Sequence, residues 1–122
     1  MSVSKRSAIT ELGGTLISDH AANATAETNV TGATSGSIYM IDVDNTANAA
    51  VMYFKINDHA SSGGAGVTPQ WMFMAEGGKK TSFIFDAALA YSAGVTTWCT
   101  AGAAVGNSVN PPNSVIVNMI VS

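Results

Sequence analysis

The sequence predicts an all-β chain: an antiparallel, jelly-roll-like β-sandwich of roughly 6–8 strands with a polar N-terminal arm. Three observations carry that expectation. Apolar and polar residues alternate with period two in several separate segments, as they do in a strand whose two faces see different surroundings. Gly, Asn, Ser and Pro cluster between those segments, where turns need them. No stretch repeats apolar residues with the 3.6-residue period of an amphipathic helix, and only 11% of the 122 residues are charged, too few to dress the exposed faces of helices.

Residues 1–14 are polar apart from scattered apolar side chains such as Val3, Ile9 and Leu12. Residues 7–12 could form one helical turn or an extended arm, ended in either case by Gly13 and Gly14. Three apolar side chains cannot make a core, so Val3, Ile9 and Leu12 are expected to reach a neighbouring molecule. TLISD, 15–19, is the first strand candidate, and 20–36 reads as linker or edge strand, with 27–31 best suited to pair. Residues 1–36 thus read as arm and edge segment, and 37–122 as the sandwich domain.

The strongest signal is 37–58, SIYMIDVDNTANAAVMYFKIND, two β-rich runs around an Asn/Thr/Ala joint. Tyr39, Ile41 and Val43 alternate with Met40, Asp42 and Asp44; beyond the joint Met52, Phe54 and Ile56 alternate with Tyr53 and Lys55. The joint, 45–48, holds Asn45 and Asn48, which tolerate turn conformations. The expectation is a β-hairpin. A Gly/Ser loop at 58–69 follows, then QWMFMA at 70–75, read as a central strand because large apolar groups occupy both faces. EGGK at 76–79 is a turn of hairpin length, KTSFIF at 80–85 the return strand, and 86–89 a bend or single helical turn. VTTWCT at 95–100 and VIVNMIV at 115–121 are strands separated by a second Gly/Asn/Pro loop, 101–112. Tyr39, Ile41, Val43, Phe54, Phe73, Phe83, Trp98 and Val117 are the expected inward side chains.

Composition narrows the function classes. The net charge is −3, and five Lys and Arg are scattered, with pairs only at Lys5-Arg6 and Lys79-Lys80. Nucleic acid demands a basic stripe and an anionic membrane a basic cluster, so neither is an expected partner. One cysteine excludes an internal disulfide framework. The opening MSVSKRSAITELGG lacks the apolar run of a signal peptide, so synthesis in the cytoplasm is expected and glycosylation of the sequons at Asn23 and Asn29 is not. Small neutral residues in place of charge suit surfaces that touch other protein.

The residues with reactive groups are sparse. Asp42 and Asp44 share one strand face and could bind a cation or divide acid and base roles, but EF-hand spacing is absent. Asp19-His20 and Asp58-His59 look like dyads, yet adjacent strand residues point to opposite faces, and at turns such residues cap. Cys99 lies mid-strand beside Trp98, the place of a small buried hydrophobe rather than a nucleophile. Trp71 and Trp98 could form a sugar-stacking platform, although few polar partners surround them. The loop at 58–69 lacks the GK[ST] ending of a phosphate cradle. No enzyme, cofactor or metal site is expected.

The order IYxIDVDNTANAAVMYFKIND, a Gly-rich loop ending TPQWMFMAEGG, a Phe-rich strand, ALAYSAGVTTWCTAG and a terminal VIVNMIV resembles small all-β virion proteins of tailed bacteriophages, in particular capsid cement or decoration proteins. The resemblance covers 37–121. It implies a β-sandwich on the capsid exterior, bound to the major capsid protein across capsomer boundaries, often as a homotrimer. A receptor- or glycan-binding module of a fibre or baseplate is the alternative of a different class; exposed aromatics clustered with Asn or Asp on the loops at 58–69 and 101–112 would favour it.

Overall fold

The computed structural model describes Val3–Ser7 and residues 14–122; side chains within the first segment are described for Val3 and Ser4. Eight strands form: β1 (Val3–Ser7), β2 (Thr15–Ala22), β3 (Gly36–Asp44), β4 (Met52–Asn57), β5 (Trp71–Ala75), β6 (Lys80–Tyr91), β7 (Thr96–Thr100) and β8 (Val115–Val121). They make two antiparallel sheets, β1-β2-β8-β3-β6 and β5-β4-β7, and the described residues contain no helix. The expected all-β antiparallel sandwich is the fold.

The strands exist because their alternation separates a buried side from a wetter one. β8 reads buried and half-buried in strict turn, with Val115, Val117, Met119 and Val121 inward. Ile41 and Val43 of β3 meet Phe54 and Ile56 of β4 in the same core. Segment 23–30 runs along β7 as a fourth, rudimentary strand of the smaller sheet. Glu27 and Thr97 exchange backbone bonds at 2.8 and 3.0 Å, and Val30 N–H donates to the Val95 carbonyl. The order β2-β8-β3-β6 against this segment, β7, β4 and β5 is that of a jelly roll, with β1 added at one edge. The expected arm and edge segment, 1–36, thus supplies β1 and β2 to the larger sheet.

Several local expectations are corrected. Residues 37–58 do not form a hairpin: β3 pairs with β6 and β8, while β4 pairs with β5 and β7 in the other sheet. The joint is an arch between layers. The Asn45 side chain, fully buried, donates to the carbonyls of Ala50 (3.0 Å), Ala75 (3.2 Å) and Glu76 (3.2 Å). Its amide replaces the ladder that a hairpin would have supplied. The turn at 76–79 is a second arch, since β5 and β6 also lie in different sheets. Gly78, at φ 72°, donates to the carbonyls of Asn48 and Asn45, which joins the two arches.

β5 is an edge strand rather than a central one, which leaves Met72 and Met74 exposed. The segment expected to bend, 86–89, belongs to strand β6, but the register with β3 slips there, since Ile84 pairs with Met40 and Leu89 with Ile38. Tyr39 does not face inward. It is the extra residue where β3 slips against β8, because Ile38 pairs with Val121 and Met40 with Ile120. That bulge turns Tyr39 outward, 42% exposed, and puts Ile38 in the core. Trp98 is buried, but on the outer face of the smaller sheet, opposite Lys55 and under Gly63. Phe73 and Phe83 point inward yet stay half-buried, because β5 and β6 are the edges at one open side of the sandwich.

Candidate functional site

The aspartates singled out for their chemistry, and His59, are engaged in local structure. Asp58 accepts from the backbone N–H groups of Ala93 (2.8 Å), Ser92 (3.0 Å) and Gly94 (3.3 Å). Burial alone would raise its carboxyl, but the amides of Ala93, Ser92 and Gly94 hold it below the ordinary carboxylate value. His59 Nδ1 accepts from Ser61 and Ser62 N–H at 3.0 and 2.9 Å. The pair is thus two separate caps, not a dyad. Asp19 is buried and accepts from Ala21 N–H, whereas His20 is exposed on the other face.

Asp42 accepts from Ser82 Oγ at 2.8 Å. Asp44 accepts from Thr46 Oγ1 (2.5 Å) and N–H (3.0 Å), which hold its carboxyl below the ordinary value, and Lys80 Nζ stands 3.9 Å away. Among the described residues no cluster of His, Cys, Asp and Glu is arranged to hold a metal ion. Cys99 is fully buried, and burial, with the Asp19 carboxylate adding to it, pushes its thiol up to about 12, so no thiolate forms near neutral pH. Trp71 is half-buried on β5 and Trp98 is covered, its Nε1–H without an acceptor; they share no exposed platform.

The two Gly-rich loops fold over the outer face of the smaller sheet. Gly66 N–H donates to the Val105 carbonyl, which holds them together. Beneath them Lys55 is fully buried, with Nζ donating to the Ala104 carbonyl at 3.0 Å. Burial lowers its ammonium below the ordinary lysine value.

The feature left without a role inside the molecule is apolar. On the outer face of the larger sheet Leu16 lies opposite Ile120, Ile120 opposite Met40, and Met40 opposite Ile84. Directly opposed residues share a face, so the four make one row across β2, β8, β3 and β6. At about 4.8 Å between strands the row is roughly 14 Å long. Ile84 is 76% exposed, although it stands on a sheet face with room for a polar residue. Gly14, Tyr39, Met40, Ile84 and Ile120 line a shallow hollow of about 310 Å³ in this row. A Cβ on Gly14, which is buried, would fall 3.0 Å from Ile120 Cγ2, so the absence of a side chain lets the backbone approach Ile120 closely at the end of the hollow.

One step along the strands the matching row is polar: Ser18 donates to Asn118 Oδ1 at 2.6 Å, and Ser82 to Asp42. Elsewhere, Ala21, Ala22, Asn23, Asn110, Pro111, Pro112, Asn113 and Ser114 line a polar hollow of about 350 Å³. Its amides are partly committed, since Asn110 accepts from Ala24 N–H and Asn113 donates to the Ala47 carbonyl.

Of the three arm residues, Val3 lies on β1 opposite Asp19 and packs against the chain's own core, and Ile9 and Leu12 lie outside the described residues. Sequence reasoning missed the apolar row. Its signal was present, in Met40, Ile84 and Ile120 at positions of outward parity, but only the strand register aligns them. No family model, curated protein or solved structure matches the chain.

Proposed function

We propose that the protein is a structural, non-enzymatic component of a bacteriophage virion: a cement or decoration protein that docks on the outer capsid and stabilises contacts between capsomers. The observation that carries this reading is the apolar row Leu16–Ile120–Met40–Ile84 on a sheet face whose adjoining row is polar. Such a strip costs solubility unless another protein covers it. Low charge and caps in place of reactive groups agree with a role in binding rather than catalysis. The partner is the major capsid protein, and self-association, as three copies where the resemblance is followed, belongs to the same proposal. A protein that binds only the assembled shell stabilises it by mass action.

The test compares particles carrying the protein, particles lacking it and particles carrying Ile120→Asn, by occupancy in electron-microscopy maps and by the temperature of genome release. Ile120 sits mid-row on β8, inside the larger sheet. The expected result is a folded Ile120→Asn variant with lower occupancy and earlier release. Equal robustness without the protein, together with failed adsorption to cells, would instead establish the receptor- or glycan-binding reading. The polar hollow at Asn23, Asn110 and Asn113 favours that second reading, whereas the absence of aromatics from the loops at 58–69 and 101–112 weighs against it.

A further inference from the structure

We infer that two copies of this chain pair edge to edge through β6, antiparallel and centred on Phe83, so that the two larger sheets become one. The inference takes from the proposed function self-association alone, and sets a two-fold pair in place of the three copies that the resemblance implies. β6 pairs with β3 on one side and, among the described residues, ends the sheet on the other, so backbone donors and acceptors are open along β6, whose register with β3 slips between Ile84 and Leu89. Proteins usually blunt such an edge with proline, a bulge or inward-pointing charge. Over 80–86 β6 alternates exposed and half-buried residues without a break, and its charges are Lys80 and Asp86 alone.

The positions of those charges choose the occupant. Lys80 and Asp86 lie three residues before and three after Phe83, both on the outer face. In an antiparallel pair centred on Phe83, Lys80 stands opposite Asp86 of the second copy, and Asp86 opposite its Lys80. One strand thus carries its own complement. A parallel pairing, or a shift by two residues, loses this match. Lys80 is available for it, with a side chain 67% exposed and only a 3.9 Å approach to Asp44.

The inner face agrees. Phe83 and Phe85 pack on Phe73, with ring centroids 4.9 and 5.7 Å away, yet all three are half-buried at the open side of the sandwich. Pairing brings Phe83 against Phe83 of the second copy and Phe85 against its Thr81, which completes the burial of this cluster. Such a contact is isologous and closes after two copies. It also places two apolar rows on one continuous outer face, where both can meet the same shell.

The experiment uses the full chain in sedimentation equilibrium and in oxidative cross-linking. The wild type is expected to show a concentration-dependent dimer. Asp86→Lys sets like charges opposite each other twice and should weaken dimerisation by about tenfold or more. The exchange Lys80→Asp with Asp86→Lys should restore it, which a merely destabilised fold would not do. Phe83→Cys should form a disulfide-linked dimer on mild oxidation, since residues directly opposite stand about 5 Å apart. Thr81→Cys should not, because its two copies would lie roughly 13 Å apart along the strands. A trimer, a monomer at the highest soluble concentration, or a dimer indifferent to all these changes overturns the inference. Particles stabilised by a protein that never dimerises would leave the proposed function standing without it, and a dimer that binds no particle would do the reverse.

Discussion

Lys55 shows how a single residue can conflict with its surroundings and still be placed. Its position on β4 faces the outer side of the smaller sheet, where alternation expects a solvated side chain, but the loops at 58–69 and 101–112 cover that side. Among the described residues the ammonium bonds the Ala104 carbonyl and meets no carboxylate. Removing a charge from water costs several kcal/mol in an idealised site, and an apolar isostere is often as good or better. Lys55→Met is therefore expected to leave the unfolding midpoint unchanged or to raise stability by up to about 2 kcal/mol at pH 7. Because burial lowers the lysine pKa in the folded state, the unfolded chain holds more protons between that lowered value and about 10.4. Wild-type stability attributable to this group thus rises with pH across that window, and the advantage of Lys55→Met should shrink on going from pH 7 toward pH 10. A loss above ~2 kcal/mol at pH 7 would mean that the bond to Ala104 outweighs burial.

At the scale of the element, the arches at 45–51 and 76–79 decide which strands meet. Asn45 closes both, with three carbonyl acceptors and its own Oδ1 accepting from Asn48 Nδ2 at 2.9 Å. Asn48 continues the network to Asn113, donating to its carbonyl and accepting from its N–H at 3.1 and 2.8 Å. Asn45→Ala leaves buried carbonyls unpaired and should cost about 3 kcal/mol. Asn45→Asp, though nearly the same shape, points a carboxylate at three carbonyl oxygens and should cost more at neutral pH. Urea midpoints for the two variants check this; an aspartate variant as stable as the alanine one would show that the shape of Asn45, not its donors, holds the arch.

For the whole molecule, the two sides of the sandwich are closed to different degrees. One side is sealed by segment 23–30 along β7, the other ends in β5 and β6 with half-buried aromatics. Core energetics should follow that asymmetry. Phe54, 1% exposed at the centre, should cost about 3–5 kcal/mol on change to alanine. Phe83→Ala, measured on the dilute monomer, should cost roughly 1–2 kcal/mol, since part of its surface is wet in both states. Equal losses at the two positions would contradict an open side. The same asymmetry leaves β6 as the edge at which the second copy is proposed to pair.

The sequence by itself determined most of the strands and the lack of amphipathic helices among the described residues, because period-two alternation and turn residues act through local sterics and burial that each segment carries alone. It also marked Ile41, Val43, Phe54 and Val117 as core, and made Asp58 and His59 better caps than catalysts. Only the tertiary structure decided what lies beside what. The run at 37–58 has the pattern of a hairpin and of an arch alike, and a buried amide contacting three distant carbonyls chose the arch. Tyr39 faces out because β8 is one residue short opposite it. The apolar row exists because the register of four strands brings Leu16, Ile120, Met40 and Ile84 into line. Pairing between segments more than a hundred residues apart, as for Leu16 and Ile120, depends on which sheet each strand joins, and alternation within a strand carries no record of its neighbour.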